Sequence, residues 1–281
     1  MAARATGQNS GTLNFARGIA RAFGGAILFA FPLLMTMEMW QLGVSVSGPR
    51  LVLFIALTLP LLLGLSHYSG FERTDSLGED AEDAFVAFGV GFIASALMLA
   101  LFGIIGWGMP IGEVVGKIAI QTVPASIGAI VASKQFHAAD EEGANGRGEK
   151  HASYGGELFL MAAGALFVAF NVAPTEEVIL IAYTMTPWHA VALAAVSVLM
   201  LHLFVYAVGF AGQEEPPDYA GFWLTFLHFT IAGFGIALLV SLYVLWTFER
   251  TAGLDAGDVA VMMVVLAFPA SLGAATARLI V

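Results

Sequence analysis

Glu38, Glu113, Glu176, Glu177 and Asp258 each fall at the edge of a long apolar block, where a carboxylate is costly unless water, a counter-charge or a ligand solvates it. A ring of such acids at the mouth of a membrane path concentrates cations and replaces part of their hydration shell. The five are not equivalent. Glu113 and Asp258 open their blocks, so they stand in the first turn of a helix, where the positive end of the dipole is reason enough for an acid. Glu38 and Glu177 close theirs. As last turns of continuous helices they sit where the dipole disfavours an acid, and they point to an outer site for an inorganic cation or a proton, with Glu176 and Asp258 contributing. The run NVAPTEE, residues 171–177, adds Asn171 as a polar ligand and Pro174 as a breaker that frees backbone carbonyls for an ion.

Other chemistry is thinner. Lys117 follows Glu113 by four residues, the spacing of an intrahelical ion pair. His202 and His228 lie in separate apolar blocks, where two imidazoles can ligate a haem or a metal; hydrogen-bonded packing is the preferred account of both. The absence of Cys removes disulfides, thiolate metal sites and Cys nucleophiles. There is no H-E-x-x-H, G-x-S-x-G or P-loop, so neither an enzyme activity nor a cofactor is expected. No Lys lies in the last two apolar blocks to form a Schiff base with a pigment. The acidic stretches FERTDSLGEDAED and KQFHAADEEGANGRGEKHASYGGE lack the ligand spacing of a Ca²⁺ loop and read as solvated loops.

The elements that must position these residues follow from hydropathy. Of 281 residues, 59% are hydrophobic and 11% charged, more apolar surface than a soluble fold can hide. The apolar residues form blocks of about twenty, long enough to cross a hydrocarbon core of about 30 Å as helices. Spans are expected at 21–41, 50–68, 84–108, 112–132, 157–175, 187–211, 221–246 and 258–280. A barrel would need short strands of alternating polarity. Arg4, Arg17, Arg21, Arg73, Lys134, Arg147, Lys150 and Arg278 fall on the side of the N-terminus, against Arg50, Lys117 and Arg250 on the other, which puts both termini in the cytoplasm. The net charge of −10 argues against nucleic acid as a partner. The lipid bilayer is the expected partner, and homo-oligomerisation stays open.

The chain also resembles itself. Residues 25–39, GAILFAFPLLMTMEM, align without gaps to 164–178, GALFVAFNVAPTEEV, and 112–129, GEVVGKIAIQTVPASIGA, to 257–274, GDVAVMMVVLAFPASLGA. The first alignment pairs Glu38 with Glu177; the second pairs Glu113 with Asp258 and Lys117 with Met262. Pro49 with Pro187, and Gly70-Phe71 with Gly209-Phe210, fall between them in the same order. The expected fold is therefore an all-α membrane protein of eight transmembrane helices in two parallel four-helix repeats: residues 15–134, a cytoplasmic linker at 135–156, and residues 157–281. Small residues in PASIGA and PASLGA read as close-packing positions, with Pro124 and Pro269 as kinks.

With GAxxxAF…E and G[ED]V…PAS[IL]GA in view, the whole chain resembles a bacterial family of integral membrane proteins of unknown function. The resemblance implies a bacterial inner-membrane location and supplies no activity, ligand or catalytic residue. Three functional classes follow: a cation channel or transporter, which accounts for the paired acids; a membrane assembly or signalling scaffold; and a haem- or metal-binding protein built on His202 and His228.

Overall fold

The computed structural model describes the backbone of residues 2–69, 77–141, 154–206 and 226–280, with side chains for 18–67, 77–132, 154–203 and 226–277. The chain divides into two compact units, residues 1–150 and 151–281. The first contains α1 (Ala2–Leu34), α2 (Met37–Ser45), α3 (Gly48–Ser69), α4 (Leu77–Leu101) and α5 (Ile111–Glu141). The second contains α6 (Tyr154–Val172), α7 (Glu177–Thr184), α8 (Pro187–Tyr206), a π-helical turn (Phe226–Ile231) leading into α9 (Ala232–Thr247), and α10 (Ala256–Ile280). Every regular element among the described residues is helical, as lipid demands of a backbone that must satisfy its own polar groups.

Among the described residues, six helices are long and apolar enough to cross a membrane, or seven if the bent pair α1 and α2 counts as one span. The protein is thus a multi-pass, helical integral membrane protein. α8 is apolar but contributes only 17 described residues, Pro187–Leu203, to such a count.

Within each unit the last helix is the hub. α5 packs against α1, α2, α3 and α4, and α10 against α6, α7, α8 and α9. Of the apolar stretch in α5, 72% is buried, against 22% in α3, which leaves most of its apolar surface exposed. Glycine makes the tightest of these contacts. A Cβ on Gly25 would overlap that of Ala132 and lie 2.7 Å from the Gly128 carbonyl oxygen, and one on Gly128 would lie 2.5 Å from Phe29 Cβ. In the second unit, a Cβ on Gly164 would overlap the Gly273 carbonyl and Ala277 Cβ, and one on Gly273 would lie 2.6 Å from Val168 Cγ2. Backbones this close exclude any side chain, which is the use of small residues in membrane helix packing.

The observed boundaries depart from the sequence expectation at three places. The first span is not one helix over 21–41: α1 ends at Leu34 and α2 leaves it at 88°. α4 begins at Leu77, inside the stretch read as a solvated loop, and ends at Leu101 rather than at 108. α5 continues to Glu141, seven residues into the expected linker, because KQFHAADE contains neither Gly nor Pro. The rest of that linker over 142–153, the Gly70-Phe71 and Gly209-Phe210 pairs, and the span segments 207–211 and 221–225 lie outside the described residues. α5 and α10 run through Pro124 and Pro269 without a break in helical assignment.

Candidate functional site

Glu38 stands at a corner in the first unit and Glu176 and Glu177 at one in the second, while Glu113 and Asp258 open the last helix of each unit. In the first unit, Pro32 sits inside α1, where its ring removes a backbone donor and crowds the preceding turn. Two residues after the helix ends, Thr36 is extended at φ −91°, ψ 124°. Its hydroxyl lies 3.0 Å from the Pro32 carbonyl oxygen and 2.8 Å from that of Leu33. Gln121, buried on α5, donates its side-chain amide to the Leu33 carbonyl at 2.9 Å, and the Trp40 indole donates to the Leu34 carbonyl at 2.8 Å. The carbonyls freed where α1 stops therefore already have donors, which is what a buried helix end requires. Glu38 is half-buried in the first turn of α2.

In the second unit, α6 stops at Val172 and α7 starts at Glu177. The Thr175 hydroxyl donates to the Val172 carbonyl at 2.8 Å. Asn171 donates its amide back to the Phe167 carbonyl one turn earlier, at 2.8 Å, so it serves its own helix. Arg250, from the segment between α9 and α10, places a guanidinium Nη2 on the Pro174 carbonyl. It is presented by Glu249, whose φ of 62° is unusual for a residue with a side chain. Glu176 and Glu177 are exposed. Outside the spans, the Glu177 carboxyl is held below the ordinary value of 4.5, mainly by its own backbone N–H at the helix start and secondarily by Thr175. The Thr175 hydroxyl proton is directed at Val172, so the amide dominates.

These corners correct the dipole argument. Glu38 and Glu177 do not end long helices; each stands in the first turn of a short one, where the dipole favours an acid as it does for Glu113 and Asp258. The apolar character of residues 31–37 continues through the break, so hydropathy hid it. Asp258 is exposed, and its backbone N–H is capped by the Asp255 carboxylate at 2.9 Å.

Lys117 does not pair with Glu113. Its ammonium turns to the Ile104 carbonyl at 3.4 Å and to Met109 Sδ at 3.8 Å, groups brought over it by the segment between α4 and α5. His202 Nδ1 lies 2.9 Å from the buried Thr230 hydroxyl, and His228 is exposed, with its ring edge-on to Tyr154 at 5.8 Å. Among the described residues, no group of three His, Asp or Glu could hold a metal ion.

One cluster was missed. Asp80, assigned to a solvated loop, is buried in the first turn of α4 with its carboxylate 2.9 Å from His67 Nδ1 of α3, and Ser66 donates to Asp83 at 3.3 Å. The signal was present in the spacing: Asp80, Ala84, Ala87, Gly91 and Ala94 recur at four- and three-residue steps and form the buried stripe of α4.

Residues 18–281 match the model of a family described as "Putative integral membrane protein (DUF2391)". No curated protein and no solved structure matches the chain.

Proposed function

The chain belongs to this DUF2391 family of integral membrane proteins, and we propose that it crosses the bilayer eight times as two duplicated four-span units, with acid-bearing corners that admit a cation or proton to a membrane path. The eighth span in this reading is α8, whose full 20 residues reach about 30 Å. Duplication is supported by a coincidence of alignment and contact. The two ungapped alignments pair Gly25 with Gly164 and Gly128 with Gly273, and in each unit those two glycines meet backbone to backbone. With an even number of spans per repeat, the second copy enters the membrane from the same side as the first. The eight-to-three partition of Lys and Arg supports both termini and the linker in the cytoplasm and the corners outside; a bacterial inner membrane is what the family resemblance implies.

One observation supports the transport reading: in both units the chain turns and a short helix starts with an acid, Glu38 or Glu177, at aligned positions, and in the first unit that turn breaks a span. Interrupted spans are a recurring way to build ion sites at membrane depth. In proteoliposomes, Glu38→Gln and Glu177→Gln should each reduce cation or proton flux under a gradient, while Glu82→Gln on the exposed surface of α4 should leave it unchanged. Absence of flux from the unmodified protein, or wild-type flux from both variants, removes the transport reading.

A second reading, a membrane assembly scaffold without transport, is favoured by a different observation. The carbonyls at both breaks already accept from Thr36, Gln121, Trp40, Thr175 and Arg250. A corner so satisfied needs no ion to complete it.

A further inference from the structure

α2 crosses the end of the first unit at 88° to α1, so it lies near the membrane plane if α1 spans. Its buried face, Met39, Leu42 and Gly43, packs on α5, and Gly43 is seated so closely that a Cβ there would lie 2.5 Å from the Lys117 Cα. This seating brings the Lys117 side chain up along the other side of α2, where Met37, Trp40, Val44, Ile104 and Lys117 line an open groove of about 500 Å³. That volume is within the range of small-molecule sites. The walls are mostly apolar, with Gln41 and Ser45 as neutral polar residues, and among the described residues Lys117 is the only charged group that lines them; Glu38 and Glu113 do not. Among the described residues, no carboxylate lies within 4.0 Å of its ammonium, whose neighbours are a distant carbonyl and a thioether. A half-buried ammonium with so weak a set of acceptors favours an anion. Trp40, and the fully exposed Trp107 of the segment between α4 and α5, are the residue type that marks the headgroup level of a bilayer.

The second unit provides the contrast. Met262, aligned with Lys117, is buried, and α7, which offers exposed Leu180 and Tyr183, contains no Lys or Arg. Apolar shelf surface therefore occurs in both units, and a cation at this aligned position only in the first.

We propose that the α2 groove binds one anionic amphiphile, with its phosphate or carboxylate on Lys117 Nζ and its acyl chain along Met37, Trp40 and Val44. The inference needs only that α2 lies at the interface, and it stands whether or not the protein moves ions.

Native mass spectrometry of the full chain in neutral detergent, with equal phosphatidylglycerol and phosphatidylcholine, tests it. One phosphatidylglycerol should be retained with a preference of about fivefold, the contribution of one lysine near an anionic headgroup. Lys117→Arg should keep the preference and Lys117→Gln should lose it. Val44→Asp, at an exposed wall position, should lose it too and decides the matter if Lys117→Gln does not elute as folded protein; Leu180→Asp on α7 should not. Equal retention of both lipids by wild type, or an undiminished preference in Lys117→Gln or Val44→Asp, overturns the proposal. Displacement of the lipid by millimolar sodium phosphate overturns the amphiphile in favour of a small-anion site.

Discussion

The two corners each carry a proline, Pro32 inside α1 and Pro174 between α6 and α7, and are completed differently. In the first unit, neutral donors close the break: a buried amide from Gln121 on α5, the Trp40 indole and the Thr36 hydroxyl. In the second, Thr175 takes one carbonyl and the guanidinium of Arg250 takes another. The positions aligned with Gln121 and Lys117 are Leu266 and Met262, both buried and both without a donor. The difference teaches that an interrupted span fixes how many donors must come from elsewhere, not their charge. A neutral set leaves Lys117 to a groove; a charged set commits Arg250 to the break itself.

The largest way to break the parallel is at the glycines. Gly128→Val and Gly273→Val should each cost about 1–3 kcal/mol or more, because a side chain must force two backbones apart. Melting of the detergent-solubilised protein would check this. Similar losses at the two sites sharpen the comparison, and a large loss at only one dissolves it. Gly235→Ala, where a Cβ meets nothing within 4 Å, should instead stabilise by about 0.5–1 kcal/mol through helix propensity.

The donors come next. Arg250→Ala strips a charged donor from the Pro174 carbonyl, and a cost of about 1.5–3 kcal/mol is expected. Gln121→Leu should cost less, about 1 kcal/mol. It takes one donor from the Leu33 carbonyl, which keeps Thr36 as another, and it removes a buried Oε1 that has no partner among the described residues. A thermal-shift ranking with Gln121→Leu worse than Arg250→Ala would show that the neutral corner, not the charged one, depends more on its long-range donor.

The smallest effect is electrostatic. Glu177 has a folded-state pKa below 4.5, so its contribution to stability is present above the unfolded value and is lost as pH falls through the lower folded one. Between about pH 6 and 3, Glu177→Gln should therefore flatten the acid limb of the melting curve. The carboxyl is fully exposed, which keeps the change small. An unchanged acid limb would assign the limb to other carboxylates.

The membrane class, the helical content and most span positions were legible in the sequence because they depend on local averages: apolar blocks long enough to cross lipid must be helices wherever they occur. α3 and α6 fall within a few residues of their expected limits for that reason. Gly128 and Gly273 were legible as close-packing positions too, since only a missing side chain allows such packing, whereas their partners Gly25 and Gly164 were marked only by the self-alignment. Tertiary structure decided the rest. A hydropathy window cannot register a right-angle turn through residues that stay apolar, and that turn needs Gln121, 88 residues from the Leu33 carbonyl it serves. The same holds for Lys117, which forgoes the acid four residues away for groups folded over it from Ile104 and Met109, and for Asp80, buried because α3 brings His67 beside it. Local physics selects helices and their faces; where a polar group finds its partner depends on which distant segment the packing delivers.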